Sequence, residues 1–232
     1  MFGWIIPPPK PSSKTPEIFV QERQIRIASL KQQGILTSKI IEEAMLKIPR
    51  ELFVPFNYRD HTYKELPFPL PGKRATISCP HSYPMFYEAI NLSLGDSLLE
   101  VGTGSGYGAV LAAEIVGHQG YVTSIEIDHK TYLYAKKCVS LFNYPNLSLV
   151  EGDGGYGYGH NAPYDKICLT AACVEIPPPL IDQLKEGGNL IAPRQGFGNS
   201  QDLILLEKKG SDIRMETIEK VLYVPLQGRY SG

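Results

Sequence analysis

No run of this sequence is long and apolar enough to form a membrane span or a signal-peptide core. The near-apolar stretch from Phe2 to Ile6 is cut off by Pro7, Pro8 and Pro9, so no membrane partner is expected. Cysteine is scarce, four in 232 residues, and Cys79, Cys138, Cys168 and Cys173 show neither CxxC nor Cys/His ligand spacing. That pattern indicates no disulfide framework and no metal site; reduced thiols of a cytoplasmic protein are expected. An excess of one charge is also missing. Lys and Arg total 23 against 24 Asp and Glu, a net charge of -1, which removes the clustered basic surplus that nucleic acid or anionic lipid demands. Neutral or small-patch partners and a monomer are favoured, with no nucleic acid among the partners. Internal repeats are absent.

What is present suits one folded body. With 43% hydrophobic residues the chain can bury one full core, giving a Pro-rich extended arm over 1–16 and a single domain over 17–232. Trp4 is a candidate anchor for that arm. Helical spacing over Pro16 to Gln33 (Ile18, Ile25, Ala28; Val20, Ile27, Leu30), stopped by Gly34, predicts an amphipathic helix. A second is predicted over Ser38 to Ile48, with Thr37 as N-cap and Ile40, Ile41, Ala44, Met45 and Ile48 as its buried face. Residues 50–84, rich in Pro and aromatics, read as a long, ordered, functional connection.

After Met85 the pattern becomes short apolar runs alternating with helical stretches. The runs are SLLEV, YVTSIEI, LSLVEGD, DKICLTAA and GNLIAP; the helices are predicted over Tyr107 to Val116, Lys130 to Phe142 and Pro179 to Leu184. Such alternation makes βαβ units and a parallel sheet. The tail, QDLILLEKKGSDIRMETIEKVLYVPL, reads instead as an antiparallel strand pair around a Gly-Ser-Asp turn at the sheet edge.

Between the first such strand and its helix lies EVGTGSGYG. Glycines there let backbone approach a ligand, and the helix N-terminus offers free N–H groups. The dinucleotide pattern G-x-G-x-x-G/A fails from Gly102, where Tyr107 stands, and fits only when shifted to Gly104, Gly106 and Ala109. The acidic-x-G-x-G-x-G form, Glu100, Gly102, Gly104 and Gly106, resembles the S-adenosylmethionine site of class I methyltransferases. Glu126, at the end of the next strand, could take both ribose hydroxyls, with Asp128 as competitor. Asp153 ends the third strand, where a carboxylate can reach the adenine edge.

A more particular resemblance covers nearly everything after about residue 35. IPRELFVP (48–55), ATISCPH (75–81), EGDGGYGY (151–158), APYDKICLTAA (162–172), IPPPLIDQLKEGGNLIAP (176–193) and VLYVPL (221–226) are similar to the protein-L-isoaspartate (D-aspartate) O-methyltransferase family. The resemblance implies an α/β, Rossmann-like methyltransferase with a mostly parallel seven-stranded sheet, helices on both faces, an antiparallel C-terminal edge and preceding N-terminal helices. Residues 17–84 would carry those helices and the substrate loop, and 85–232 the S-adenosylmethionine core and C-terminal strands. It further implies methylation of the α-carboxylate of L-isoaspartyl residues in damaged proteins and peptides, with repair through a succinimide. A carboxylate is already nucleophilic and the donor is a sulfonium, so positioning and desolvation suffice without a strong general base. Ser78 falls on the family's Thr-Ile-Ser turn as the candidate catalytic residue. Thr76, Ile77, Ser78 and His81 would bind substrate, Cys79 and Cys173 being packing residues.

Three readings stay open beside this one: a related O-methyltransferase acting on a defined aspartate of a partner peptide, a nucleic-acid methyltransferase on the same sheet, and a non-enzymatic binding module that retains S-adenosylmethionine or only the fold. Gln195 and Val174 depart from the family pattern where the substrate cleft would be shaped.

Overall fold

The computed structural model describes residues 5–196, 198, 200–210 and 212–231; Trp4, and Ser211 of the expected turn, lie outside them. Pro16 opens the helix Pro16–Gln32 (α1) at a position where its missing N–H is harmless. The buried side of α1 is Phe19, Arg23, Ile27 and Leu30, not the face through Ile18 and Ile25, and Ile25 is 69% exposed. An arginine in a core position hides the period. Arg23 is accommodated because its Nη2 lies 2.8 Å from Glu51 Oε1, its Nε donates to Tyr63 Oη and its Nη1 to the Leu46 carbonyl. Ahead of α1, residues 12–14 are tied down by Asp60. Its carboxylate accepts from the Ser12 hydroxyl at 2.6 Å, the Ser13 amide and hydroxyl, and the Lys14 amide.

Helix Lys39–Lys47 (α2) buries Ile41, Ala44 and Met45 and has Ser38, not Thr37, at its N-cap. Thr37 is occupied elsewhere, its amide and hydroxyl both donating to Glu88 at 2.7 Å. The connection that follows holds two 3₁₀ turns, Arg50–Leu52 and Phe56–His61, and a small antiparallel ladder of Phe68–Pro69 (β1) with Thr76–Ile77 (β2). It ends in a helix absent from the sequence reading, Ser82–Ala89 (α3). Pro84 obscures that helix in sequence, yet it sits in the first turn, where backbone N–H groups have no intrahelical partner.

The main sheet comprises Ser97–Val101 (β3), Tyr121–Glu126 (β4), Leu147–Glu151 (β5), Tyr164–Leu169 (β6), Leu184–Gln195 (β7), Gln201–Lys209 (β8) and Asp212–Val221 (β9). Its order is β5-β4-β3-β6-β7-β8-β9, parallel as far as β7 and antiparallel from there to β9. Helices Tyr107–Val116 (α4), His129–Val139 (α5) and Pro178–Asp182 (α6) make the crossovers. Alternate strand residues feed two cores: Leu98, Val122 and Cys168 face α2 and α4, while Leu99, Val101, Ile125 and Ile167 face Leu180 of α6. After β3 the chain winds outward through β4 and β5, then returns to lay β6 on the other side of β3. The strand order reverses there while β3 and β6 stay parallel, and that crevice is where open α/β sheets take ligands. No helix among the described residues is long and apolar enough to cross a membrane.

Candidate active site

A cleft of about 1130 Å³ opens at the C-terminal ends of β3, β4 and β6. The loop after β3 turns sharply into α4. Gly102 has φ +99°, and a Cβ there would stand 2.3 Å from Thr170 Oγ1, whose hydroxyl donates to the Gly102 carbonyl at 2.6 Å. Gly106, at φ +85°, is the left-handed N-cap of α4 and packs against Val139 of α5. Gly102 and Gly104 therefore line the cleft, whereas Gly106 shapes the turn from behind.

Glu100 and Glu126 both face this space. Glu100 is 2% exposed and accepts from the Ser124 hydroxyl at 2.5 Å; Ser124 is in turn 2.7 Å from Thr103 Oγ1. Burial pushes the Glu100 carboxyl up to about 8, the Ser124 hydrogen bond opposing and the Glu126 charge reinforcing the rise. Glu126, also raised by burial, is aimed by two amides: Gly104 N donates to Oε2 at 2.9 Å and Asp128 N to Oε1 at 3.0 Å. Asp128, the competitor in sequence, caps α5, accepting from Thr131 N at 2.9 Å, and its other oxygen takes Lys73 N. Asp153 is off the cleft wall, which this segment reaches through Gly154. Its carboxylate accepts from Gly155 N at 2.9 Å and from Arg229 N at 2.7 Å, binding the end of β5 to the C-terminal segment.

The opposite wall holds Thr76, Ser78 and His81, and the Thr76 carbonyl lies 3.6 Å from where a Gly104 Cβ would stand. Ile77 points the other way and is fully buried in the core, as alternation along β2 requires. Behind Ser78 sits Arg50, 1% exposed. It donates from Nη2 to the Ser78 carbonyl and from Nε to the Thr62 carbonyl, its guanidinium lying over the Tyr83 and Tyr107 rings at 5.7 and 5.2 Å. His81 Nδ1 is 2.5 Å from Glu65 Oε2, and Arg26 Nη1 is 3.2 Å from Glu65 Oε1. Burial pushes Glu65 up, but the hydrogen bond and charge of His81, with Arg26, outweigh it and hold the carboxyl below its ordinary value.

Residues 219–227, beyond and including the end of β9, complete the wall. Of the positions in and behind this wall, Arg50, Glu65, Thr170 and the tail were not singled out from sequence, though Arg50, Thr170 and Val221–Leu226 lie inside the quoted motifs. Val174 and Gln195 are off the wall: Val174 is 52% exposed, and the Gln195 amide ties the end of β7 to the Gly198 carbonyl at 2.7 Å.

With the geometry in view, the comparisons are specific. The family model described as protein-L-isoaspartate(D-aspartate) O-methyltransferase matches residues 21–231. A protein-L-isoaspartate O-methyltransferase 2 of Archaeoglobus fulgidus is 42% identical over 90% of this chain and 94% of its own length. One from Methanothermobacter thermautotrophicus is 36% identical over 91% and 97%. Among solved structures, a protein-L-isoaspartate O-methyltransferase superposes with a TM-score of 0.83 at 31% identity over 90% of this chain and 67% of that one. A Plasmodium falciparum structure, described as a putative member in complex with S-adenosyl-L-homocysteine, matches the fold with a TM-score of 0.77 at 22% identity over 88% of this chain and 98% of that one.

Proposed function

This chain belongs to the protein-L-isoaspartate(D-aspartate) O-methyltransferase family, and from that premise we propose that it methylates the α-carboxylate of L-isoaspartyl residues, with roles for its own residues as follows. The observation that carries the reading is one cleft holding two buried carboxylates, Glu100 and Glu126, on one side and the Thr76–Ser78 turn on the other.

The donor set fits S-adenosylmethionine. A ligand there meets acceptors for an ammonium (Glu100) and for ribose hydroxyls (Glu126), beside a glycine loop that leaves backbone open. When bound, that cofactor supplies a sulfonium methyl: a substrate carboxylate oxygen forms the new O–CH₃ bond as the C–S bond breaks and sulfur keeps the electron pair. The protein's part is alignment. Ser78 donates to the substrate carboxylate, Thr76 and His81 flank it, and Arg50 fixes the turn through the Ser78 carbonyl. Asp153 braces the adenine end by holding Gly155 and Arg229. Residues 219–227 shield the reacting centre from water.

Residues 17–232 act as one catalytic unit, and the cleft is built within one chain, which supports a monomer. Four free, buried thiols support a reducing, cytoplasmic setting. The test is methyl transfer from labelled S-adenosylmethionine to one peptide in isoaspartyl and ordinary aspartyl forms, scored as base-labile methanol. Labelling confined to the isoaspartyl form is expected; cofactor binding with neither form labelled would move the search to a dedicated partner peptide.

A further inference from the structure

We propose that Glu65, Cys79 and His81 bind a divalent transition metal of zinc's character on the wall of the cleft, next to Ser78, and that the bound ion blocks the substrate side. The carboxylate oxygen, thiol sulfur and imidazole nitrogen of these residues lie within 4.8 Å of one another. Sequence spacing hides this: Glu65 comes from the segment before β1, and the other two from the link between β2 and α3. The β1–β2 ladder brings them together.

The chemistry of the three donors is mixed S, N and O, the kind Zn²⁺ takes in sites with three protein ligands and one open position. All three residues line the cleft, so the fourth position faces it. Glu65 can give Oε2 to an ion while Arg26 keeps hold of Oε1 at 3.2 Å, an arrangement that orients the ligand. Glu65 and His81 side chains are about one third exposed, 33% and 34%, so they can open around an ion that replaces their direct contact. Cys79 is anchored, its carbonyl accepting from Ser82 N at 3.1 Å. A thiolate and a carboxylate balance the charge of a divalent ion, with the imidazole neutral.

Coordination forms the metal–sulfur bond and sends the Cys79 thiol proton to solvent. An ion in this place captures the incoming substrate carboxylate and ties up the lone pair that must attack the methyl group. Inhibition is therefore competitive with the peptide and not with the cofactor.

The first probe is Co²⁺ added to the full chain, read by its thiolate-to-cobalt absorption. The band is expected to saturate at one equivalent, to be displaced by Zn²⁺, to persist in Cys138→Ser and to vanish in Cys79→Ser, with affinity about 10–100-fold weaker in Glu65→Gln. No thiolate band, or an unchanged band in Cys79→Ser with circular dichroism showing a folded chain, overturns the site. Added Zn²⁺ should raise the peptide KM at least several-fold without moving the cofactor KM, each variant being compared with its own metal-free rate. Binding through Cys79 with no change in peptide KM overturns the inhibitory role. The effect on turnover rests on the methyltransfer reading, but cobalt binding does not: a chain that binds cobalt through Cys79 and methylates no isoaspartyl peptide refutes that reading alone.

Discussion

Glu100 is folded into surroundings that suit its neutral form, and the unbound protein carries the consequence. Its folded-state value, about 8, stands above the ordinary 4.5. Between those values unfolding releases a proton, so the stability linked to this group is whole below 4.5 and is lost as pH rises through 8. Glu100→Gln is expected to raise the Tm of the cofactor-free protein by several degrees at pH 9 and little at pH 4, checked by calorimetry. The same change removes an ammonium acceptor and should weaken S-adenosylmethionine about 10–100-fold, or 1.5–3 kcal/mol, by titration calorimetry. A higher Tm with unchanged affinity would remove Glu100 from the donor site. Ser78→Ala should do the reverse, lowering kcat/KM for the isoaspartyl peptide about 10–100-fold through the lost hydrogen bond to a charged oxygen, while cofactor affinity stays within about twofold. Equal loss of both would contradict a role on the substrate side.

Among the elements, α1 is held to the body by a buried charge where the sequence shows only an arginine. Arg23 and Glu51 side chains are 10% and 9% exposed, and Tyr63 Oη both accepts from Arg23 and donates to Glu51. Arg23→Ala leaves Glu51 uncompensated and is expected to cost about 3–5 kcal/mol, read as a lower denaturation midpoint; replacing Arg23, Glu51 and Tyr63 together by Met, Leu and Phe should restore most of it. The same residue explains a misread face. Apolar periodicity located both N-terminal helices and the strand–helix alternation of the sheet, because hydrophobic burial governs those positions. It failed where a polar residue fills a core slot, as Arg23 does, and where proline in a first turn concealed α3. The meeting of Glu100 and Glu126 in one cleft was legible because strand ends and a glycine loop have sequence signatures. Arg50 and Glu65 were not, since each acts through a contact made only when separate loops meet.

At the scale of the molecule, the cleft is assembled from separated stretches, among them the loop around Glu65 to His81, the strand ends at Glu100 and Glu126, and the tail at 219–227. Asp153, after β5, ties Gly155 to Arg229, just beyond the third. Asp153→Ala is expected to increase amide exchange across 226–231, with cofactor affinity within about threefold. A large affinity loss with unchanged exchange would instead put its carboxylate on the adenine.

The tail's place in the wall also sets when activity can begin during synthesis. β3, β4 and β6 and their glycine loop leave the ribosome well before residues 219–227, so a nascent chain can gather the donor-binding face while its reaction chamber is still open to water. The chamber is therefore completed late, with β9 and the segment behind it.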